Sequence, residues 1–314
     1  MKLAVISGQL AIVTPEHQCY YPTQKIAELA GTPLFGQNNI DIAMDKPLLS
    51  RLTHALNTPE ASKFAKSLTD VVYDLPVPIP PSFRDGYAFL QHVSTCRKAR
   101  GQDVPEAFYA CPTFYFSNPA IMAGCGDVRV GAYQQEKLDY ELEVAVVIGR
   151  DLEDVNVKDA DDAIAGMMLL NDWSARKIQA ERELPMMMGP NKSKDFATTA
   201  GPWLVTTDEL STRSTPTAEG NHYDVDLRAL INGTPYSAGN LSSLYYTFAQ
   251  IIHHVATGTL VKKGDVIGSG TVGTGCLLEL NLTGKVENLW LKDGDTVELA
   301  SDILGTLTNK VVFK

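Results

Sequence analysis

Hydrophobic and polar positions alternate most clearly over residues 138–149, LDYELEVAVVIG. Period-two spacing at Glu141-Leu142-Glu143-Val144 predicts a strand, which then runs on through Ala145, Val146, Val147 and Ile148. MKLAVI and QLAIVT predict a hairpin around Ser7-Gly8, and a helix follows over residues 23–30. Leu48, Leu52 and Leu56 recur at i, i+4 and i+8 with Pro47 in the first turn, an apolar helical stripe. MMLLND reads as a buried strand ending at Asn171-Asp172. The last third is β-rich: YDVDLRALING leads into an Asn232-Gly233 hairpin turn. SLYYTFAQIIHHVA is the one long amphipathic helix there. The proline run at residues 75–81 stiffens the chain into an extended lead-in. It sets a boundary between a small N-terminal domain, 1–75, and a larger domain, 76–314.

The strand at 141–148 carries a problem. Glu141 and Glu143 share a face roughly 7 Å apart, two residue rises. On an apolar strand they repel, and burying them unpaired would cost several kcal/mol each. A hard divalent cation suits all-oxygen ligands, although a solvated strand face is the plain reading of an isolated pair. Further charged residues sit at element ends. In RDGYAFLQHVSTCRKARG, Asp85 reads as the cap of a helix spanning 87–98, which would set Asp85 and His92 on one face two turns apart. WSARKIQAE reads as a helix opened by Asp172, with Asp172, Arg176 and Gln179 on one face. For both aspartates an ordinary N-cap is the simpler role. The loop GPNKSKDFATTAGPW offers Lys194, Thr198 and Thr199. GSGTVGTGCLLELNL has glycines but no phosphate-loop lysine, and leads to a strand on which Glu279 needs a buried partner, with His92 the candidate. His17, His54 and the adjacent pair His253-His254 read as surface or capping residues.

Composition narrows the picture. A chain of 314 residues can bury a large core. A formal net charge of −10 without a basic block argues against nucleic acid. No run of apolar residues is long enough to span a membrane, and MKLAVISGQLAIV is too interrupted for a signal peptide. The 5 cysteines have no CxxC spacing, which argues against a zinc motif or disulfide framework and fits a reducing cytoplasm.

DGYAFLQH, DYELEVAVVIG, LLNDWSARKIQ, KDFATTAGPW and GSGTVGTGCLLEL, in this order, resemble the fumarylacetoacetate hydrolase family over residues 85–284. The resemblance implies an α+β, mainly β fold: a fumarylacetoacetase-like β-roll or mixed β-sandwich, flanked by helices, beside a small N-terminal domain. It implies a divalent cation, Mg²⁺ or Ca²⁺ with Mn²⁺ as a further candidate, held by Asp85, Glu141, Glu143 and Asp172. Lys194 joins this metal site as a counter-charge, and Thr198 lies beside a second magnesium-binding feature. His92 oriented by Glu279 is the implied base; Arg176, Gln179 and Lys194 are the implied oxyanion donors. Tyr87, Arg100, Tyr115, Gln179 and Thr271 are the implied substrate contacts. The implied reaction is metal-dependent hydrolysis of a carbon–carbon bond in a 2,4-diketo acid, fumarylacetoacetate or a related acylpyruvate, as in aromatic amino acid catabolism. The alternatives are a 2-oxo acid lyase (an oxaloacetate decarboxylase or hydratase/isomerase) and a non-catalytic small-acid sensor that keeps the metal cage. A cytoplasmic homodimer is the implied assembly. ERELPMMMG, residues 181–189, departs from the hydrolase pattern; Met186, Met187 and Met188 either line an acyl pocket or pack in the core.

Overall fold

Two-residue turns start both predicted hairpins. Ser7 (φ 50°) with Gly8 (φ 73°) joins strands Lys2–Ile6 and Gln9–Thr14, and Asn232 (φ 52°) with Gly233 (φ 76°) joins Asp226–Ile231 and Thr234–Asn240. Paired positive φ values match the right-handed twist of the strands they connect. The computed structural model describes all 314 residues.

The strand predicted at 141–148 runs Leu142–Ile148 and is buried at every position. Alternation explains why both of its faces are covered. Val144, Val146 and Ile148 join a core with Leu227, Leu299, Leu307 and Phe248. Ala145 and Val147 face the other way, into a core with Ile26, Leu52, Leu170 and Leu204. The first core lies against a 5-stranded sheet ordered Thr234–Asn240, Asp226–Ile231, Thr296–Ser301, Gly305–Phe313, Gly126–Val130. The second core lies against helices Thr23–Leu29 and Lys46–Leu56. In the latter Leu48 and Leu52 are buried as the stripe predicts. The outcome is a mainly β, mixed sandwich with flanking helices.

The large sheet crosses the proline run. From one edge its order is Lys66–Ser67, Cys19–Pro22, Gln9–Thr14, Lys2–Ile6, Thr198–Thr206, Ile164–Asn171, Leu142–Ile148, Val266–Gly268, Phe83–Gly86, Phe114–Ser117. Leu3 lies opposite Leu204, so residues 1–75 share a sheet and a core with the rest. The boundary at the proline run therefore divides one sheet and does not isolate a separate core.

Three local expectations are corrected. Asp85 caps no helix: it sits on strand Phe83–Gly86, opposite Gly268 on one side and Tyr115 on the other. The helix begins only at Leu90 and ends at Lys98, with Phe89 as an N-cap lacking a side-chain bond. Pairing on both edges outcompeted the local capping that an Asp favours. Glu279 lies on helix Leu277–Leu282, not on a strand, because a short apolar run suits either period and only its partners decide. WSARKIQAE starts as a two-residue strand, Ser174–Ala175, so Asp172 opens no helix; the helix starts at Arg176 and widens to a π turn over Gln179–Glu183.

Glycines set the spacing beside Asp85. A Cβ on Gly268 would overlap Asp85 Oδ1 and come within 2.9 Å of Leu170 Cδ2. Gly268→Ala should therefore lower stability by about 1–3 kcal/mol, the usual range for overpacking, and should also weaken divalent-cation binding by displacing Asp85. Thermal denaturation with and without cation checks both. An undiminished cation-induced rise in the variant would show that this strand spacing does not control Asp85.

Candidate active site

Three strand ends deliver the acidic residues. Asp85 closes Phe83–Gly86, Glu141 and Glu143 flank the start of Leu142–Ile148, and Asp172 follows Ile164–Asn171. Carboxylate oxygens of Asp85, Glu141 and Glu143 lie within 4.8 Å of one another, and all are buried. Lys194 joins Asp172 to them: its Nζ donates to Asp172 Oδ2 at 2.7 Å and to Glu141 Oε2. Tyr115 Oη also donates to Asp172 Oδ2. Arg176 Nη2 donates to Glu141 Oε1 at 2.7 Å and its Nη1 to Gln179 Oε1 at 3.1 Å. Thr271 Oγ1 donates to Glu143 Oε1 at 3.2 Å.

Burial and mutual repulsion dominate the electrostatics. Burial and the charge of Asp172 push Asp85 up to about 7. Burial, then Asp85 and Glu141, hold Glu143 well above the ordinary range. Asp85 and Glu143 thus hold each other's protons, because two like charges this close oppose each other's ionisation. Glu141 behaves oppositely: burial opposes its charge, but Lys194 and Arg176 outweigh burial and hold it low. Glu143 Oε2 and Asp172 Oδ1 are buried without any hydrogen-bond partner. Orphaned hard oxygens and converging carboxylates are what a divalent-cation site with oxygen ligands requires; these residues fit such an ion.

A buried histidine–carboxylate pair is built separately. His92 on Leu90–Lys98 and Glu279 on Leu277–Leu282 meet at 2.8 Å between Nδ1 and Oε2, both buried. Tyr87 stacks edge-on to the imidazole at 5.5 Å. Burial disfavours the imidazolium, but Cys96, Cys276 and Glu279 outweigh it and hold His92 well above its ordinary value. The structure thus brings together Asp85, Glu141, Glu143, Asp172, Lys194, Arg176, Gln179, Tyr115 and Thr271 in one network, and His92, Glu279 and Tyr87 in another.

Two expected residues lie outside both networks. Arg100 is exposed and donates Nε to Cys96 O at 3.1 Å, closing its own helix, where a cation is favoured by the exposed carbonyls. Thr198 is buried in Thr198–Thr206 with its Oγ1 unpartnered, and forms no hydrogen bond to the acidic cluster. Met186, Met187 and Met188 are 70–90% exposed, which rules out core packing.

Two buried carboxylates escaped the sequence reading. Asp139 accepts from Arg176 Nε at 2.8 Å and from the backbone N–H groups of Leu277 and Leu278 at 2.8 and 3.0 Å. One carboxylate thereby orients Arg176 and pins the helix that carries Glu279. The alternation that singled out Glu141 and Glu143 extends back to Asp139, so its signal was present. Glu183 accepts from the N–H groups of Asn191 and Ser193 at 3.0 and 2.9 Å and from the Ser193 hydroxyl. It ties the π turn to the loop that presents Lys194, and nothing in its local sequence marks it.

With this geometry in place, relatives can be compared. The C-terminal model of fumarylacetoacetate hydrolase matches residues 82–312. A fumarylacetoacetase of Oryza sativa subsp. japonica is 30% identical over 90% of this chain and 83% of its own length. The alignments with fumarylacetoacetases of Aspergillus fumigatus and Arabidopsis thaliana span about half of those proteins. An oxaloacetate tautomerase of Bacillus subtilis is 28% identical over 80% of this chain and 77% of its own length. Among solved structures, a maleylpyruvate hydrolase from Sphingobium sp. SYK-6, in complex with manganese(II) and pyruvate, is similar with a TM-score of 0.69 and 21% identity, over 100% of this chain and 99% of that one. No helix here is long and apolar enough to cross a membrane.

The raised carboxylates give a pH signature. A carboxyl whose folded pKa lies above its unfolded value, as at Asp85 near 7, contributes stability at low pH that is lost as pH rises through the folded pKa. Chelator-treated protein should therefore lose melting temperature as pH rises from about 4, the unfolded carboxyl value, to about 7. Added Mg²⁺ or Mn²⁺, which takes the place of the proton, should raise the melting temperature more at pH 8 than at pH 6. A cation-induced rise equal at both pH values would contradict this assignment.

Proposed function

The chain belongs to the fumarylacetoacetate hydrolase family, and within it we propose a divalent-cation-dependent hydrolase that cleaves a carbon–carbon bond of a 2,4-diketo acid. The single observation that carries this reading is the buried His92–Glu279 pair at 2.8 Å, built on two helices distinct from the strands that supply the carboxylates. Metal-assisted decarboxylation can proceed on the acidic cage alone, whereas hydrolysis needs a base to activate water.

The divalent ion, when bound by Asp85, Glu141, Glu143 and Asp172, supplies Lewis-acid polarisation of the diketo acid's oxygens. Mg²⁺ or Ca²⁺ is the expected occupant, with Mn²⁺ able to substitute. Glu279 holds His92 Nδ1, and once the imidazolium, held above its ordinary value, has given up its Nε2 proton, that nitrogen takes a proton from water, the division of labour of a carboxylate-oriented base. The hydroxide adds to the C4 carbonyl and the charge moves to its oxygen. Lys194 Nζ and the Gln179 amide are the donors for that oxyanion. Arg176 already occupies Gln179 Oε1, so the amide NH₂ is the end left free to donate. Collapse of the oxyanion re-forms a carbonyl, breaks the C3–C4 bond and leaves the electron pair on C3. The His92 proton then goes to C3, giving a carboxylic acid and a 2-oxo acid. A ring-cleavage product of aromatic catabolism has this chemistry, and the proposed assembly is a cytoplasmic homodimer.

The similarity to an oxaloacetate tautomerase supports a second reading, a lyase or tautomerase of 2-oxo acids. Cleavage of an acylpyruvate panel with added cation separates the two. His92→Ala should lower kcat by about 10²–10⁴-fold, the contribution of a positioned base, while the cation-induced rise in melting temperature persists. Wild-type protein that enolises or decarboxylates 2-oxo acids but leaves acylpyruvates intact would move the assignment to the second reading.

A further inference from the structure

The proposed reaction leaves the two thiols beside His92 without a role. Cys96 Sγ lies 3.8 Å from His92 Nε2. Cys276, fully buried at the N-cap of Leu277–Leu282, offers a sulfur that lies within 4.8 Å of the ligand atoms of both His92 and Glu279. Glu279 is itself fully buried and spends only Oε2 on His92; its Oε1 has no partner. An imidazole, a thiol and a half-satisfied carboxylate therefore converge in the buried interior. No CxxC spacing announces them, because His92 and Cys276 are brought together only by the fold.

We propose that His92, Cys276 and Glu279 form a second cation site, selective for a thiophilic ion such as Zn²⁺, whose occupation silences the base. Imidazole and thiolate nitrogen–sulfur sets favour Zn²⁺, whereas the carboxylate cage favours hard ions. One thiolate and one carboxylate balance the ion's two charges, so the filled site adds no net buried charge. Zinc bonds of about 2.0–2.3 Å place tetrahedral ligands roughly 3.4–3.7 Å apart, so side-chain shifts of about 1 Å from the observed spacing close the site. Burial and Asp139 push the Cys276 thiol up to about 12, and His92 is also held above its ordinary value, so the thiol proton and the imidazolium proton both leave as the ion enters and binding strengthens with pH. Only the silencing rests on the hydrolase reading; the binding does not.

The test uses the full chain saturated with Mg²⁺, titrated with Co²⁺ and then Zn²⁺. Wild type should develop a near-ultraviolet thiolate-to-cobalt charge-transfer band that saturates at one equivalent and is erased by Zn²⁺. Cys276→Ser, which keeps a polar atom at the cap, should lose the band and require at least tenfold more Zn²⁺ for inhibition of acylpyruvate cleavage. Cys111→Ser, at an exposed thiol, should behave as wild type. Should Cys276→Ser fail to fold, Glu279→Gln serves instead and should weaken Co²⁺ binding at least tenfold. Absence of the band in wild type, or its persistence in Cys276→Ser, would overturn the site whether or not any diketo acid is cleaved.

Discussion

Repulsion among buried carboxylates is the constraint on which the rest of this structure depends. Asp85, Asp139, Glu141, Glu143 and Asp172 are all buried, against only Lys194 and Arg176 as buried cations within the cluster. Taking one unpaired carboxylate out of water costs several kcal/mol even after relaxation. The fold answers with hydrogen bonds and two cations, yet Asp85 and Glu143 are still held above the ordinary carboxylate range, and two oxygens remain unpartnered. A divalent cation completes this balance where no rearrangement of side chains does. The cluster is therefore costly to fold empty, and stability and function are bound to the same residues.

Sheet architecture makes such a cluster feasible. Strand ends can hold carboxylates at fixed separations because neighbouring strands lie about 4.8 Å apart and their backbones are already satisfied. Asp85 is fixed by pairing on both edges of its strand, and Gly268 gives its side chain room. Cover on both faces of Leu142–Ile148 keeps water away from the ends that carry Glu141 and Glu143. The N-terminal helices contribute to one of those covers, so the part of the chain with no chemistry of its own is part of what keeps the cluster dry. Asp139 connects the two networks, joining Arg176 to the helix of Glu279.

Local pattern carried the elements whose periodicity is unambiguous. Both hairpin turns, the apolar strands and the Leu48–Leu52 stripe were legible because short-range sterics and burial agree there. The five sequence blocks carried the family and most of the site. Two candidate site residues were expected on the wrong element. Asp85 reads locally as a cap and Glu279 locally as a strand residue, and only contacts across 180 or more residues decide otherwise. Arg100 stands apart for the opposite reason: its bond is local, to Cys96 O, and joins it to neither network. The joining of residues 1–75 to the large sheet was illegible, since no motif near Leu3 encodes its pairing with Leu204. Asp139 is the instructive miss, because the alternation that marked its neighbours also covers it.

The most direct measurement is anomalous diffraction from crystals of the protein soaked in Mn²⁺. One strong peak should lie among Asp85, Glu141 and Glu143 with Asp172 beside it, at oxygen distances of about 2–2.5 Å. Absence of a peak there, with Lys194 still bridging Glu141 and Asp172 at saturating Mn²⁺, would contradict the account at its base.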